Sequence, residues 1–268
     1  MREASLFFST VAFRPYVFTF LFIYLVAASL KLGAKKAALF TLSAWAIAYA
    51  SEFSSVRNGF PFGLYHYIPS TTDRELWVFG VPFMDSLSFT FLSYTSWTMA
   101  RLFLSPSEGR WTSFRLREGD ERNRFSLDKI LLGALLMMLI DVVIDPLALR
   151  GDRWFLGRIY YYPEPGAYFG VTAANFAGWF AVGAVTMCVW RLIDRVVGVD
   201  RQSETGGTNG HGRNIRTLDL WGPGLYYIVL VFNLAMTFYI GEYALGWAGV
   251  FIFLPVTALT ALKLAGRI

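Results

Sequence analysis

Residues Leu127–Leu149 read LDKILLGALLMMLIDVVIDPLAL. Crossing a bilayer takes roughly 20 mostly apolar residues, and this run is long enough and apolar enough to do so. Ser126 before it suits an N-cap, and Asp128 falls in the first turn, where an acid is favoured. Six comparable runs flank it: Pro15–Leu32, Ala37–Ser54, Leu76–Leu104, Ala167–Val197, Gly222–Ile240 and Tyr243–Leu264, the last bent near Pro255. Pro15 stands at a first helical position, where no amide donor is needed. The composition agrees. Of 268 residues, 55% are apolar and 18% aromatic, and mean hydropathy is +0.45. Only 16% are charged, against about a quarter in soluble domains. The expected fold is all-α, one polytopic membrane domain over residues 1–268 with about seven transmembrane helices. Flexible cytoplasmic loops are expected at about 105–125, which is rich in acids and arginines, and 198–214, which is rich in Gly and polar residues.

Seven spans put the chain ends on opposite faces. Lys and Arg then divide unequally, seven on the face of the N-terminus and seventeen on the other, out of 24. The positive-inside rule places the N-terminus outside and the C-terminus in the cytoplasm of a multi-pass protein of the cell (inner, cytoplasmic) membrane. The net charge of +5 and the pI near 9.3 are thereby explained by membrane orientation, and no nucleic-acid partner is expected. The first apolar run is long enough to span and is followed by no small-residue cleavage site, so no removable signal peptide is expected.

Cys188 is the single cysteine, which excludes an internal disulfide and a site of several thiolates. His66 and His211 are the two histidines, too few for a His-based metal cluster. The chain has no P-loop, no dinucleotide glycine motif and no HExxH. The last span has no mid-membrane lysine, Lys263 lying almost at the chain end, which argues against a retinal protein. The chemistry must run on carboxylates, amides, hydroxyls and aromatic walls, with no metal and no cofactor.

An ionisable side chain inside a span costs a few kcal/mol and is by default a functional signal. Four acids qualify: Glu52, Asp85, Asp141 and Asp145, all in the non-cytoplasmic half. Asp141 and Asp145 are one helical turn apart, with Cβ atoms roughly 6 Å from each other. In low dielectric such a pair holds one negative charge more readily than two. A protonated acid beside a carboxylate is the equipment of general acid–base catalysis. Structural roles compete with each reading. Asp145 precedes Pro146 and could cap the helix end; Asp141 could pair with Arg57, Arg150 or Arg153. Glu52 could pair with Arg57, and Asp85 could take a first-turn position after Pro82. Asn175 and Asn233 are amides that either join helices or position water. Tyr65, Tyr67, Trp77, Tyr160, Tyr161, Tyr162, Tyr168 and Trp179 gather on the outer side. An interfacial belt accounts for much of that, and aromatic faces also stabilise cations.

Three stretches carry a resemblance: NGFPFGLYHY at Asn58–Tyr67, DVVIDP at Asp141–Pro146, and GAYFGVTAANFAGW at Gly166–Trp179. With Gly80-Val-Pro82 they resemble the CruF-type membrane carotenoid-biosynthesis proteins, which include carotenoid 1,2-hydratases and bisanhydrobacterioruberin hydratase. The resemblance runs from about the second span through the fifth. It implies cofactor-free addition of water across the terminal double bond of an acyclic carotenoid end group. Asp141 or Asp145 would be the acid, and the other carboxylate, or Glu52, the base, with Asp85 a further catalytic candidate. Tyr65, Tyr67, Tyr168 and Trp179 would wall the cation, and Asn175 would hold water. Arg57, Phe62, Gly63 and Gly170 complete the expected substrate-binding set. Gly63, Tyr65, Asp141, Asp145, Gly170, Asn175 and Trp179 match as motif members. Two positions depart from the pattern: Thr172 stands where a proline is expected, and Asp85 belongs to a variant of the third span.

The expected partners are a carotenoid or other isoprenoid lipid, the bilayer, and other enzymes of the carotenoid pathway. A carotenoid cyclase would use the same acid and cation walls without admitting water. A non-enzymatic carotenoid-binding or transport protein would convert nothing, and the absence of inverted repeats weighs against transport.

Overall fold

The computed structural model describes residues 2–116, 123–204 and 218–267. Its described residues form eight α-helices: α1 (Arg2–Phe13), α2 (Pro15–Leu32), α3 (Ala34–Asn58), α4 (Phe83–Leu104), α5 (Leu127–Ala148), α6 (Ala173–Glu204), α7 (Leu218–Tyr239) and α8 (Tyr243–Leu264). Each expected span corresponds to one of α2–α8. The bundle is all-α and membrane-spanning, and α2, α5, α6, α7 and α8 are long and apolar enough to cross by length and composition. α3 and α4 have the length, at 25 and 22 residues, but carry more polar side chains.

The polarity of α4 follows from its place. It packs against α2, α3, α5, α7 and α8, and 16 of its residues are buried. Several of its hydroxyls bond within the helix: Ser88 donates to the Met84 carbonyl at 3.1 Å, Thr90 to Leu87 at 2.7 Å and Thr95 to Leu92 at 3.1 Å, while Ser86 donates to Glu52 on α3. A helix at the centre of a bundle can hold such groups because none needs lipid as a partner.

Four features differ from the sequence expectation. α1 precedes the first expected span, and at 12 residues it is too short to cross. It docks through Thr10, whose hydroxyl accepts from the Leu76 amide at 2.8 Å. α4 begins at Phe83, not Leu76, because Trp77–Val78 (β2) pairs with Val81–Pro82 (β3). Both central turn residues, Phe79 (φ 45°) and Gly80 (φ 86°), lie in the left-handed region, the requirement of a two-residue hairpin turn. Of the expected loop at 105–125, Ser107–Glu108 (β4) pairs with Arg115–Leu116 (β5), and residues 117–122 lie outside the described residues. Of the expected linker at 198–214, α6 extends to Glu204, and 205–214 lie outside the described residues.

Ion pairs tie each end of the bundle. At one end Lys31 meets Asp219 at 2.5 Å, and Asp194 holds both Lys36 at 2.7 Å and Arg124 at 2.9 Å. At the other, Arg14 pairs with Glu75, and Glu242 pairs with Arg150 at 3.2 Å and with Arg153. Every partnership joins residues that the seven-span alternation assigns to one face. At the basic end the core is aromatic: Phe40 stacks on Trp190 at 4.7 Å and Trp97 on Phe125 at 4.6 Å. Both indole N–H groups find carbonyls, those of Phe40 and Arg124, as buried Trp requires.

Candidate active site

The acidic residues gather at the other end. Glu52 comes from the last turns of α3, Asp85 from the first turn of α4, Asp141 and Asp145 from the last turns of α5, and Asn175 from the first turn of α6. Antiparallel neighbours bring these ends together, and all five side chains line one cavity of about 130 Å³. One water needs roughly 10–15 Å³, so the space admits an end group and water.

The four carboxylates are held differently. Asp141 is fully buried. Its Oδ2 accepts from Asn175 Nδ2 at 2.7 Å, and its Oδ1 meets no donor among the described residues. Asp145 accepts from the hydroxyls of Tyr160 and of Tyr162, the latter at 3.0 Å. Glu52 accepts from the Ser86 hydroxyl. Asp85 and Tyr67 line the same cavity. Asp85 and Asp145 keep part of their surface free, and that surface is cavity wall.

Two loops far apart in sequence supply the phenols. His66–Tyr67 (β1) pairs antiparallel with Tyr160–Tyr161 (β6), in register His66 with Tyr161 and Tyr67 with Tyr160. Side chains alternate along a strand. Tyr160 and Tyr162 therefore turn inward to Asp145, while Tyr161 faces out, 40% exposed. Burial first, and then the neighbouring Asp145 carboxylate, push both inward phenols well above the usual tyrosine range, so they stay donors. Removing them tests their part in the site. Tyr162→Phe is expected to slow turnover about tenfold, and Tyr160→Phe with Tyr162→Phe about a hundredfold or more, since a hydrogen bond to a charged group contributes ~1.5–3 kcal/mol. Initial rates on purified variants with unchanged thermal transitions check this; a double variant within threefold of the parent contradicts it.

Aromatic rings close the walls. Phe89 stacks on Trp179 at 4.2 Å, and Phe62 lies 5.7 Å from Phe89. Tyr65 meets Tyr67, Tyr160 and Tyr162 edge-on at 5.3, 5.7 and 6.0 Å. Gly178 lets this wall close. A Cβ there would come within 2.6 Å of Phe62 and 2.7 Å of the Pro61 carbonyl, so only glycine lets the Phe62 loop lie against α6. Thr172 stands immediately before α6, and its hydroxyl is 3.4 Å from the Asn175 amide. It occupies an N-cap position, a role proline's side chain cannot fill.

Of the expected site residues, the cavity lining brings together Glu52, Asp85, Asp141, Asp145, Phe62, Tyr65, Tyr67, Asn175 and Trp179. Arg57, Gly63, Tyr168 and Gly170 lie outside it. Arg57 bonds the Phe53 carbonyl at 2.9 Å and covers the Phe53 ring, in place of pairing with Glu52. Arg150 and Arg153 are engaged with Glu242, not with Asp141. Arg150 also clamps the Pro146 and Phe169 carbonyls, tying the end of α5 to the glycine-rich loop. Asn233 lines the cavity while its amide donates to Val229 within α7. The lining also holds Tyr16, Phe20, Phe91, Trp154 and Phe232, which sequence reasoning did not select. Among the described residues no group of three or more His, Cys, Asp or Glu side chains is placed to hold a metal ion.

A family model described as carotenoid biosynthesis protein matches residues 12–212, most of the 268. The chain belongs to the carotenoid biosynthesis protein family. The motif resemblance is thus borne out at the level of the family, and the matched region holds all four carboxylates, Asn175 and the phenols. No curated protein and no solved structure matches the chain. Membership gives the protein a role in carotenoid biosynthesis, and it fits a lipid substrate and a multi-pass bundle.

Proposed function

We propose that the protein adds water to the terminal double bond of an acyclic carotenoid end group. The observation that carries this reading is the inequality of two acids one turn apart. Asp141 is dry, with one oxygen bound by Asn175 and the other meeting no donor among the described residues. Asp145 is held by two phenols. Two phenol donors favour a carboxylate that carries charge, while a dry carboxyl beside it is equipped to carry a proton.

In the proposed reaction Asp141 gives its proton to the less substituted carbon of the terminal alkene. The tertiary cation that forms is faced by Trp179, Phe89, Phe62 and Tyr65, whose ring faces attract positive charge. A water molecule attacks the cation, and its surplus proton passes to Asp145. Transfer of that proton across the one-turn gap restores Asp141, and the net change is one water added. Glu52 and Asp85, across the cavity, keep water oriented. The cell membrane is the proposed location, with the cavity in its outer half, as the charge count directs.

Expression in cells that make lycopene tests the reading. The pigment should gain the mass of one water and lose it on acid-catalysed dehydration. A product of unchanged mass but altered absorption would replace the hydratase with a cyclase, and unaltered pigment with the protein in the membrane would reject both.

A further inference from the structure

The proposed chemistry leaves one side of the cavity unused. That side is built from Tyr16 and Phe20 on α2, Phe91 on α4, Trp154 after α5, and Phe232 on α7. The rings form one connected cluster. Tyr16 stacks on Phe232 at 5.4 Å and 19°, Phe20 meets Phe232 at 5.6 Å and Phe91 at 5.8 Å, and Trp154 lies 6.2 Å from Tyr16. Burial grades outward. Phe20 and Phe91 are buried, Tyr16, Trp154 and Phe232 are half-buried, and Phe155, 5.5 Å from Tyr16, is 52% exposed. α2 and α7 pack side by side here, and their outward residues Phe22 and Val231 are 67% and 60% exposed, as lipid-facing residues are. The Tyr16–Phe232 stack therefore stands with one side in the cavity and the other at the membrane-facing surface.

A carotenoid is a long, stiff, apolar rod, and a cavity of about 130 Å³ can take only its end. The rest has to leave between helices, along a wall of apolar ring faces. We propose that the seam between α2 and α7 is that route. It is a binding subsite for the conjugated tail, with the Tyr16–Phe232 stack forming one wall where the chain enters lipid and Phe20, Phe91 and Trp154 along its first double bonds. Flat rings stack on a conjugated chain without needing a polar partner. The proposal rests on the cavity being a carotenoid site. Phe232 lies beyond residue 212, where the family match ends, and Tyr16, Phe20, Phe91 and Trp154 lie within it.

The test uses full-length protein carrying Asp141→Asn, purified from lycopene-producing cells, with retained pigment measured per protein. In that background Phe232→Ala and Tyr16→Ala are expected to lower retained lycopene about tenfold. Val185→Ala, on the exposed face of α6, should leave it unchanged. Benzoylphenylalanine at position 232, close in shape to Phe, should cross-link to lycopene on illumination, and at position 22 it should not. Equal retention in all variants together with cross-links to phospholipid alone would overturn the proposal, as would a parent protein that holds no pigment. Cross-linking at 232 without any hydrated product from the wild type would keep the tail route and reject the hydratase; a hydrated product without cross-linking would do the reverse.

Discussion

Asp141→Asn is expected to lower the rate of water addition by about three orders of magnitude, with the protein still inserted and folded. A positioned general acid contributes ~10²–10⁴-fold, and Asp141 is the fully buried member of the one-turn pair, with an oxygen that meets no donor among the described residues. The amide keeps the shape of the side chain and can still accept from Asn175 Nδ2, now 2.7 Å from Oδ2. It cannot give up a proton to an alkene. Initial rates with lycopene, alongside size-exclusion profiles and thermal transitions, separate loss of chemistry from loss of fold. A loss smaller than tenfold would move the acid elsewhere, first to Glu52, which is 3% exposed and bound by Ser86.

Glu75→Ala is expected to be the most destabilising single change outside the cavity. Arg14 and Glu75 are 0% and 1% exposed, and they pair through both guanidinium nitrogens that face the carboxylate. Arg14 also donates to the Leu156 carbonyl at 2.5 Å. Deleting one member of such a pair leaves a buried charge with too few partners, at a cost of ~3–5 kcal/mol. For a protein of this size that lowers the thermal midpoint by roughly ten degrees. The change should also reach the cavity, because Leu156 lines it and the lining residues Tyr16 and Val17 lie two and three positions after Arg14. Heating in detergent with a fluorescence readout checks it. A midpoint within two degrees of the parent would mean that the pair adds nothing to the fold.

Much of this molecule can be read from its sequence because lipid is an exacting solvent. A run such as Leu127–Leu149 has one stable fate in a bilayer, and α2, α5 and α8 start where the sequence places them. Charge in a span is costly enough that Glu52, Asp85, Asp141 and Asp145 stand out unaided, and the structure puts all four on one cavity. Other features depend on information the sequence does not display locally. Residues 76–82 look like the apolar start of a span, and a hairpin turn at Phe79–Gly80 decides otherwise. Tyr160 and Tyr162 look like members of an interfacial belt. They become ligands of Asp145 through strand pairing with His66–Tyr67, some ninety residues earlier. Tyr16, Phe20 and Phe232 carry no polar signature in a chain that is 18% aromatic, so only three-dimensional packing marks them as cavity wall. Arg57 shows the opposite error: beside Glu52 in sequence it suggests an ion pair, yet Glu52 faces the cavity and Arg57 turns to the Phe53 carbonyl.

Purified protein given lycopene in ¹⁸O-enriched water provides the most direct measurement. Water addition at the carboxylate cavity predicts a tertiary alcohol whose hydroxyl carries the heavy oxygen, formed without any added redox cofactor and lost in Asp141→Asn. A product that lacks the label, or a labelled product that Asp141→Asn makes at the wild-type rate, would contradict it.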